Sequence, residues 1–265
     1  MGLSNERTRK PHRDGHMKIA TWNVNGIRAR EAQVASWVAS ERPDVLCLQE
    51  LKAASDQIPA ALWELDGYWC YWHGGKGYSG VGLLVRRETF PERPVFTHPG
   101  FDFETRMVVA QLGAIAVASI YVPNGGKDFV AKLRFLEAMQ DFAQTAREGG
   151  VPVVLCGDLN VTRTDRDVHP KERKPRAIGQ LPEERELLER IIGNDLVDVG
   201  RALDPDNDEL FTWWPPWRNM RQRNIGWRLD YILASRTIAD RATRCPVFRE
   251  VGTSDHAPVV AEFSI

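Results

Sequence analysis

The sequence has few cysteines and almost no net charge. Its 265 residues include four cysteines, which lie far apart and form no C-x-x-C pair. This scarcity excludes a disulfide framework and a cysteine-based zinc site, and it predicts a reducing, cytoplasmic compartment. Lysine and arginine total 35 residues against 36 aspartates and glutamates, which gives a net charge of -1. Because the whole chain is not basic, any nucleic-acid-binding surface must be local.

The chain also lacks a long apolar run. Its longest uncharged stretch, residues 107–126, is interrupted by polar residues, glycine and proline. We therefore expect a β-hairpin that turns near Gly113, and no association with a membrane. Residues 1–16 are polar and basic without an apolar segment, which excludes a signal peptide. They are predicted to be a disordered or added tail in front of a single domain at residues 17–265.

Strand-like and helix-like segments alternate along the rest of the chain, and no repeat or linker divides them. Apolar residues recur at helical spacing in residues 31–42. The same spacing occurs in residues 127–144, where Phe129, Leu133 and Leu136 mark the expected buried face. This alternation predicts one α/β domain.

Polar residues stand where several predicted strands begin or end. The apolar runs DVLCLQE and VPVVLCGDLN stop at Glu50 and Asp158, and Asp230 starts the run LDYILAS. Ligands collect outside the carboxyl ends of strands in layered α/β proteins, because side chains converge there as the chain leaves the core. The complete candidate constellation is Asn23, Asn25, Glu50, Asp158, Asn160, Asp230, Asp255 and His256.

This constellation is rich in oxygen ligands and contains one histidine and no cysteine. Hard oxygen ligands favour Mg²⁺ or Mn²⁺ over zinc, and phosphoryl chemistry is the natural use of such a centre. Each residue also has a structural interpretation, since strand-end carboxylates and asparagines often form turns, and His256 alone could be a structural histidine. Several acids buried without partners would be costly, so their convergence favours a cation or a catalytic role.

Seven short motifs occur in order along the chain. They are TWNVNGIR, LQE-x-K, GYSGVGLL, YVPNGG, CGDLNV, NIGWRLDYIL and SDHAPV. In order and spacing they resemble the exonuclease III family of abasic-site endonucleases, within the DNase I-like phosphodiesterase superfamily, from Met17 to the end of the chain. The resemblance implies a four-layer α/β sandwich, in which helices flank two packed, mostly antiparallel β-sheets.

The resemblance also implies a metal site and contacts to the reacting phosphate. Glu50 is expected to be the main Mg²⁺ ligand, with Asp255 and Asn25 sharing the metal site, and Mn²⁺ suits the same donors. Asn23 and Tyr121 are expected to contact the scissile phosphate or the nucleophile.

Four further residues are implied to carry the reaction. Asp158 would position or deprotonate the attacking water, and Asn160 would orient this pair. His256, held by Asp230, would stabilise the charge that develops on the phosphate. The physical chemistry agrees, because a carboxylate partner favours the imidazolium and a cation stabilises a phosphorane-like transition state.

Residues 211–228, FTWWPPWRNMRQRNIGWR, combine four tryptophans with four arginines and contain no acid. This pattern suits DNA recognition, in which arginines contact phosphates and aromatic rings stack or insert. The arginines of this segment, including Arg221, are expected to form a positive rim that faces DNA. The alternative is that the arginines are merely solvated and that some tryptophans belong to the core, which we expect for Trp214.

By resemblance, several side chains are expected to recognise the substrate. Trp213, Trp227 and Leu229 match the apolar pocket for a flipped abasic sugar, which would exclude a normal nucleotide by size. Lys127 and Trp217 match positions from which side chains enter the duplex.

Three other regions are also candidates for DNA contact. Arg106 is expected near the phosphate path, on resemblance alone. Residues 163–176 contain six basic and three acidic residues and are either a DNA contact or a solvated loop. Lys76, Tyr78 and Ser79 form a loop that could touch the DNA backbone.

The sequence therefore predicts a Mg²⁺-dependent phosphodiesterase that cuts DNA 5′ to an abasic site, with 3′-phosphodiesterase, 3′-phosphatase or 3′→5′ exonuclease activity. Its expected partner is double-stranded DNA with abasic sites or blocked 3′ ends. We expect a monomer that works at the nucleoid in a bacterial cytoplasm. One alternative is a phosphatase or phosphodiesterase of the same superfamily that acts on inositol or lipid head groups. Another is a DNA-binding module without catalysis, which the intact constellation disfavours.

Overall fold

Two six-stranded β-sheets form the centre of the computed structural model, in which residues 15–75 and 77–264 are described. The strands of the first sheet are β1 (His16–Asn23), β2 (Val45–Gln49), β3 (Tyr68–His73), β4 (Val81–Arg86), β11 (Ala242–Arg244) and β12 (Val259–Ser264). They lie in the order β11-β12-β1-β2-β4-β3, and only β1 and β2 are parallel neighbours.

The second sheet repeats this mostly antiparallel arrangement. Its strands are β5 (Val95–Thr97), β6 (Met107–Leu112), β7 (Ile115–Tyr121), β8 (Val153–Asp158), β9 (Leu196–Asp198) and β10 (Asp230–Ser235). They lie in the order β5-β6-β7-β8-β10-β9, with β7 and β8 parallel. Strands β6 and β7 form the predicted hairpin, and Gly113 adopts the left-handed conformation that its turn needs, with φ of 61°.

Six α-helices are found in the described part of the chain. They are α1 (Ile27–Glu41), α2 (Ala60–Trp63), α3 (Phe129–Glu148), α4 (Pro182–Ile192), α5 (Val199–Leu203) and α6 (Arg236–Ala239). Among the described residues, no helix has both the length and the hydropathy needed to cross a membrane.

Three of the four apolar clusters found among the described residues hold the sheets and helices together. Alternate residues of β1 serve two of them, since Ile19 packs between the sheets, whereas Trp22 packs against Trp37 of α1. The third core joins the second sheet to α3 and α4 and includes Leu136 and Leu188. Four layers of secondary structure therefore enclose three cores, which confirms the predicted α/β sandwich.

Helix α3 differs from its sequence prediction in one respect. Leu136 is buried as expected, but Phe129 and Leu133 are only partly buried, and the fully buried face includes the charged Lys132. The Lys132 ammonium lies 2.5 Å from a carboxylate oxygen of Glu184 in α4, and both side chains are inaccessible to solvent. Hydrophobic spacing missed this position because a charged residue enters a core only when a partner there compensates it.

The first strand begins one residue before the predicted domain start at Met17. His16 pairs with Ser264 in the neighbouring strand β12. Residues 1–14, which make up most of the predicted tail, lie outside the described residues, as does Lys76 of the predicted DNA-contacting loop.

The strand register brings the polar strand ends together. The parallel pair β1 and β2 ends with Asn23 beside Gln49, and the parallel pair β7 and β8 ends with Tyr121 beside Asp158. Strand β10 is antiparallel to β8, so Asp230 at its start lies directly opposite Asp158. Asp158 at the end of β8 and Asp230 at the start of β10 therefore lie side by side at the same edge of the second sheet.

Candidate active site

His256 lies between two buried aspartates where the two sheets meet. Its Nδ1 is 2.8 Å from Asp230 Oδ2, and its Nε2 is 3.8 Å from Asp158 Oδ2. The same Asp230 oxygen accepts a hydrogen bond from the Thr212 hydroxyl at 2.6 Å. The imidazole is thus held by one carboxylate and faces a second.

Burial and mutual charge set the pKa values of this cluster. Burial alone would lower the pKa of His256, but the carboxylates of Asp230 and Asp158 raise it from 6.5 to about 10. Burial raises the pKa of Asp158 from 3.8 to about 7, against the opposing effect of His256. The carboxylates therefore favour the imidazolium form of the histidine, and the raised pKa makes the Asp158 carboxylate more basic than an ordinary aspartate, as suits a general base.

Two asparagines fix the orientation of the Asp158 carboxylate. Asn23 donates a side-chain hydrogen bond to Asp158 Oδ2 at 2.9 Å. Asn160 donates its backbone N–H to Oδ1 at 2.9 Å and its side-chain amide to Oδ2 at 3.2 Å. Asn160, two residues after the end of β8, adopts a left-handed backbone conformation with φ of 51°. The turn that ends β8 therefore folds an amide back onto the carboxylate.

A second cluster of oxygen ligands surrounds the ammonium of Lys52. Lys52 Nζ lies 2.9 Å from Glu50 Oε1 and 2.6 Å from Asn25 Oδ1. Asn25 donates a hydrogen bond to Asp255 Oδ1 at 2.7 Å, and Trp213 Nε1 donates to Asp255 Oδ2 at 2.9 Å. These contacts bring together the three residues predicted to hold a metal.

The donor set of this second cluster fits Mg²⁺. The Lys52 ammonium shows that Glu50 and Asn25 oxygens converge on a positive charge, and all the donors are oxygens, as a hard cation prefers. Burial alone would raise the pKa of Asp255, but His256 and hydrogen bonds from Trp213 and Asn25 hold it below its usual value. Asp255 is therefore ionised at neutral pH and can contribute to a cation site.

Tyr121 lies beside both clusters. Burial raises the pKa of its hydroxyl well above the ordinary value, and the charges of Glu50 and Asp158 raise it further. The hydroxyl therefore stays protonated and remains a hydrogen-bond donor. The guanidinium of Arg106 lies over the Tyr121 ring, with its carbon 5.0 Å from the ring centroid.

An apolar wall borders the histidine. Trp213 and Trp227 meet edge to face with ring centroids 5.5 Å apart, and the Trp213 ring is 6.4 Å from the His256 ring. Leu229 is buried, and the buried Trp227 Nε1 has no hydrogen-bond partner among the described residues. An indole N–H left without a partner in a buried position is a group to which a ligand oxygen could bind.

Both clusters lie within a region that matches a known family. A family model described as the endonuclease/exonuclease/phosphatase family matches residues 20–256. The chain belongs to the endonuclease/exonuclease/phosphatase family. It resembles, within that family, exodeoxyribonuclease III from Haemophilus influenzae, to which it is 32% identical over 93% of this chain and 100% of the relative. The predicted resemblance to the exonuclease III family is therefore confirmed.

Two further relatives are also similar in sequence to this protein. A DNA repair nuclease from Danio rerio is 34% identical, over 95% of this chain and 84% of the relative. Recombination repair protein 1 from Drosophila melanogaster is 32% identical, but this chain spans only 37% of that protein's length.

Solved structures show the same fold. A 3′-5′ exonuclease from Neisseria meningitidis superposes with a TM-score of 0.85 and 32% identity. An AP endonuclease from Archaeoglobus fulgidus superposes with a TM-score of 0.85 and 30% identity. Each comparison covers 94% of this chain and 100% of the other.

The two side chains predicted to enter a DNA duplex are exposed to solvent in this protein. Trp217 is 56% exposed, and Lys127 is also exposed. Tyr78 is exposed too, and its hydroxyl accepts a hydrogen bond from Arg106 at 2.6 Å. Ser79 instead is buried and donates to the Glu104 carbonyl. The DNA contacts of these residues stay predictions.

The tryptophans and arginines of residues 211–228 do not all face solvent. Trp214 is buried, as expected. The expectation that the arginines form a DNA-facing rim is wrong for Arg228, which is buried and paired with Asp167 and Asp198 at 2.7 and 2.8 Å. Two buried carboxylates compensate the charge of this guanidinium. The aspartates lie at least thirty residues away in sequence, where local pattern does not reveal them.

Arg221 supports a loop next to the candidate active site. Its guanidinium donates to the backbone carbonyls of Arg249, Val251 and Ser254 at 2.7, 2.8 and 2.5 Å. These bonds shape the segment immediately before Asp255. They give Arg221 a positioning role, and its predicted DNA contact stays a prediction.

Two residues near the clusters were not identified from the sequence. Lys52 lies inside the LQE-x-K motif, so the motif itself carried the signal for it. Thr212 holds Asp230 and also accepts the backbone N–H groups of Leu229 and Asp230. A lone threonine among aromatic residues offers no pattern from which this role could be inferred.

Proposed function

We propose that this protein is a Mg²⁺-dependent phosphodiesterase of DNA repair that cleaves the DNA backbone 5′ to abasic sites and leaves a 3′-hydroxyl. The observation that carries the proposal is the Asp158, His256 and Asp230 cluster, with its displaced pKa values, beside a group of convergent oxygen ligands. Relatives named as an exodeoxyribonuclease and an AP endonuclease support the same reaction class.

Glu50, Asn25 and Asp255 are the residues that would hold Mg²⁺, and Mn²⁺ suits the same oxygens. When bound, the ion would neutralise charge on the phosphate oxygens. Lys52 now occupies the space between Glu50 and Asn25, and its ammonium can swing aside because its stem is flexible.

Asp158 would accept the proton of the attacking water. Its raised pKa makes the carboxylate basic enough to take a proton from water. Asn23 and Asn160 hold its oxygens in place, so the base needs no reorientation during the reaction. His256, as an imidazolium, would place positive charge where the phosphate develops negative charge. The Tyr121 hydroxyl would donate a hydrogen bond to the phosphate.

Trp213, Trp227 and Leu229 would receive the sugar of the abasic nucleotide. The Trp213 and Trp227 rings lie beside His256, and a pocket against this apolar wall would take a baseless sugar and reject a normal nucleotide by its size. Lys127 and Trp217, both exposed, would hold the opened duplex. Double-stranded DNA with abasic sites is therefore the proposed substrate.

DNA with blocked 3′ ends is a second proposed substrate of the same site. At a blocked 3′ end, the last sugar carries a phosphate or a phosphodiester, and no further DNA strand follows it. A solved relative from Neisseria, described as a 3′ phosphatase bound to a product DNA hairpin, supports this extension. We further propose that the protein acts as a monomer at the nucleoid in the cytoplasm.

The alternative, hydrolysis of inositol or lipid head groups, leaves the tryptophan wall and the exposed Trp217 without a role. A DNA-binding module without catalysis leaves the buried Asp158 and His256 cluster unexplained, since titratable groups with displaced pKa values concentrate at catalytic sites.

The proposal is tested by side-by-side assays on abasic, 3′-phosphate and recessed-end duplexes, with Mg²⁺ and with EDTA. We expect incision of the abasic duplex only when Mg²⁺ is present. An abasic duplex that is bound but left intact with Mg²⁺ would rule the proposal out. Turnover of inositol phosphates without DNA cleavage would favour the alternative.

A further inference from the structure

A second cluster of metal-ligating side chains lies outside the candidate active site. His73, His98 and Asp102 offer ligand atoms that all lie within 4.8 Å of one another. His73 ends β3 at one edge of the first sheet, and His98 and Asp102 follow β5 at the edge of the second sheet. The three residues therefore bridge the edge strands of the two sheets.

The distances in this cluster bracket those of a zinc centre. His73 Nε2 is 2.5 Å from Asp102 Oδ2, and His98 Nδ1 is 3.9 Å from the same oxygen. The two imidazole rings are stacked with centroids 3.7 Å apart. A tetrahedral zinc site with bonds of about 2.0–2.1 Å separates its donors by about 3.4 Å. For one ion to be surrounded, the 2.5 Å contact would lengthen by about 1 Å and the two stacked rings would turn apart, so that both nitrogens face the ion.

Neighbouring groups already orient these side chains. The Tyr71 hydroxyl is 2.8 Å from His98 Nε2. Asp102 Oδ1 accepts the backbone N–H groups of Arg106 at 2.6 Å and Met107 at 3.3 Å, which leaves Oδ2 for an ion. Outer partners of this kind fix the ligands in metal sites. Coordination through His98 Nδ1 would replace its hydrogen bond to the Met107 carbonyl at 3.1 Å.

We propose that His73, His98 and Asp102 form a binding site for a divalent transition-metal ion, of which Zn²⁺ fits best. Two imidazole nitrogens and one carboxylate are a typical donor set for Zn²⁺, whereas Mg²⁺ prefers oxygens alone. The two histidine side chains are 22% and 29% exposed, so an ion and completing waters can enter from solvent. The site is thus chemically distinct from the proposed Mg²⁺ site.

An ion at this position would fasten the loop between β5 and β6 to the first sheet. That loop carries Arg106, whose guanidinium lies over the ring of Tyr121 in the candidate active site. Because Asp102 also binds the backbone N–H of Arg106, the ion would stiffen the path from the sheet edge to Tyr121. Its principal effect is expected on stability, since it joins two sheets.

The test is a calorimetric titration of the metal-free protein with Zn²⁺ at saturating Mg²⁺. His256→Asn serves as a second background, because it disrupts the Asp158, Asp230 and His256 cluster as a competing zinc site. We expect one equivalent of Zn²⁺ at the proposed site in the wild type and in His256→Asn. In either background, His73→Gln and His98→Gln should each weaken this binding at least about tenfold.

His16→Gln is the matched control, because His16 is an exposed histidine at the start of β1. Its affinity for Zn²⁺ should equal that of the wild type. Thermal unfolding without metal checks that each variant folds, and if one of the two cluster variants does not, the other decides. With Zn²⁺, the unfolding temperature should rise in the wild type and not in His98→Gln. Absence of Zn²⁺ binding in the wild type, or unchanged affinity in the folded cluster variants, would overturn the proposal. The three residues would then only form hydrogen bonds between the two sheets.

Discussion

The positive charge of His256 depends on Asp230, and the substitution Asp230→Asn removes the carboxylate with little change of shape. The pKa of His256 is raised from 6.5 to about 10, although burial acts in the opposite direction, and Asp230 is the largest of the charges that raise it. A rise of this size corresponds to about 5 kcal/mol in favour of the imidazolium. The short contact between Nδ1 and Oδ2, 2.8 Å, accounts for the strength of the effect.

Without Asp230, the burial of His256 is opposed mainly by Asp158, which is 3.8 Å away. We expect the pKa of His256 to fall well below 10, so that the residue loses its proton at a lower pH. Asp230 also raises the pKa of Asp158. Both limbs of the pH profile should therefore move to lower pH, and the descending limb, which reports His256, should move further.

The assay is kcat/KM against pH for incision of a duplex with one abasic site in Mg²⁺. Asp240→Asn, an exposed aspartate after α6, is the matched control and should follow the wild-type profile. Histidine resonances followed by NMR over the same range report the His256 titration without relying on turnover. A descending limb and a His256 titration that stay in place in Asp230→Asn would refute the assigned coupling.

Three further predictions concern the metal, the apolar wall and the interior. Glu50→Gln should raise the Mg²⁺ concentration needed for half-maximal incision, measured by metal titration, and an unchanged requirement would contradict its assignment. Trp227→Ala should reduce discrimination between abasic and intact duplexes, seen in paired incision rates, because the wall no longer excludes a base. Lys132→Met should lower the free energy of unfolding by about 3–5 kcal/mol in urea, since it leaves the buried Glu184 carboxyl group without its partner, and Glu184→Gln in the same chain should restore part of the loss.

Residues at the strand ends were the most predictable part of the site. Glu50 and Asp158 follow short apolar runs, and the carboxyl ends of such strands must leave the core at an edge. Asp230 was a candidate because it starts a strand, but its role as the partner of His256 was implied only by the resemblance. The structure explains its place by the antiparallel pairing of β10 with β8.

Residues whose partners lie far away in sequence were not predictable. Lys132 looks like a surface residue until Glu184 is brought beside it, and Arg228 looks like a DNA contact until Asp167 and Asp198 enclose it. Local periodicity reports which side of a helix or strand a residue occupies, but it does not report compensation of charge by a distant segment. The same limit applies to His73, which meets its neighbours only because two edge strands from different sheets adjoin.

The most direct measurement of the central claim is single-turnover incision of an abasic duplex by Asp158→Asn, with binding measured in parallel. The amide keeps the size of the side chain but cannot accept the proton of the attacking water. We predict a loss of about 100- to 10,000-fold in the incision rate, with affinity for the duplex retained. Incision at the wild-type rate by this variant, with the same 3′-hydroxyl product, would contradict the assignment of Asp158 as the base.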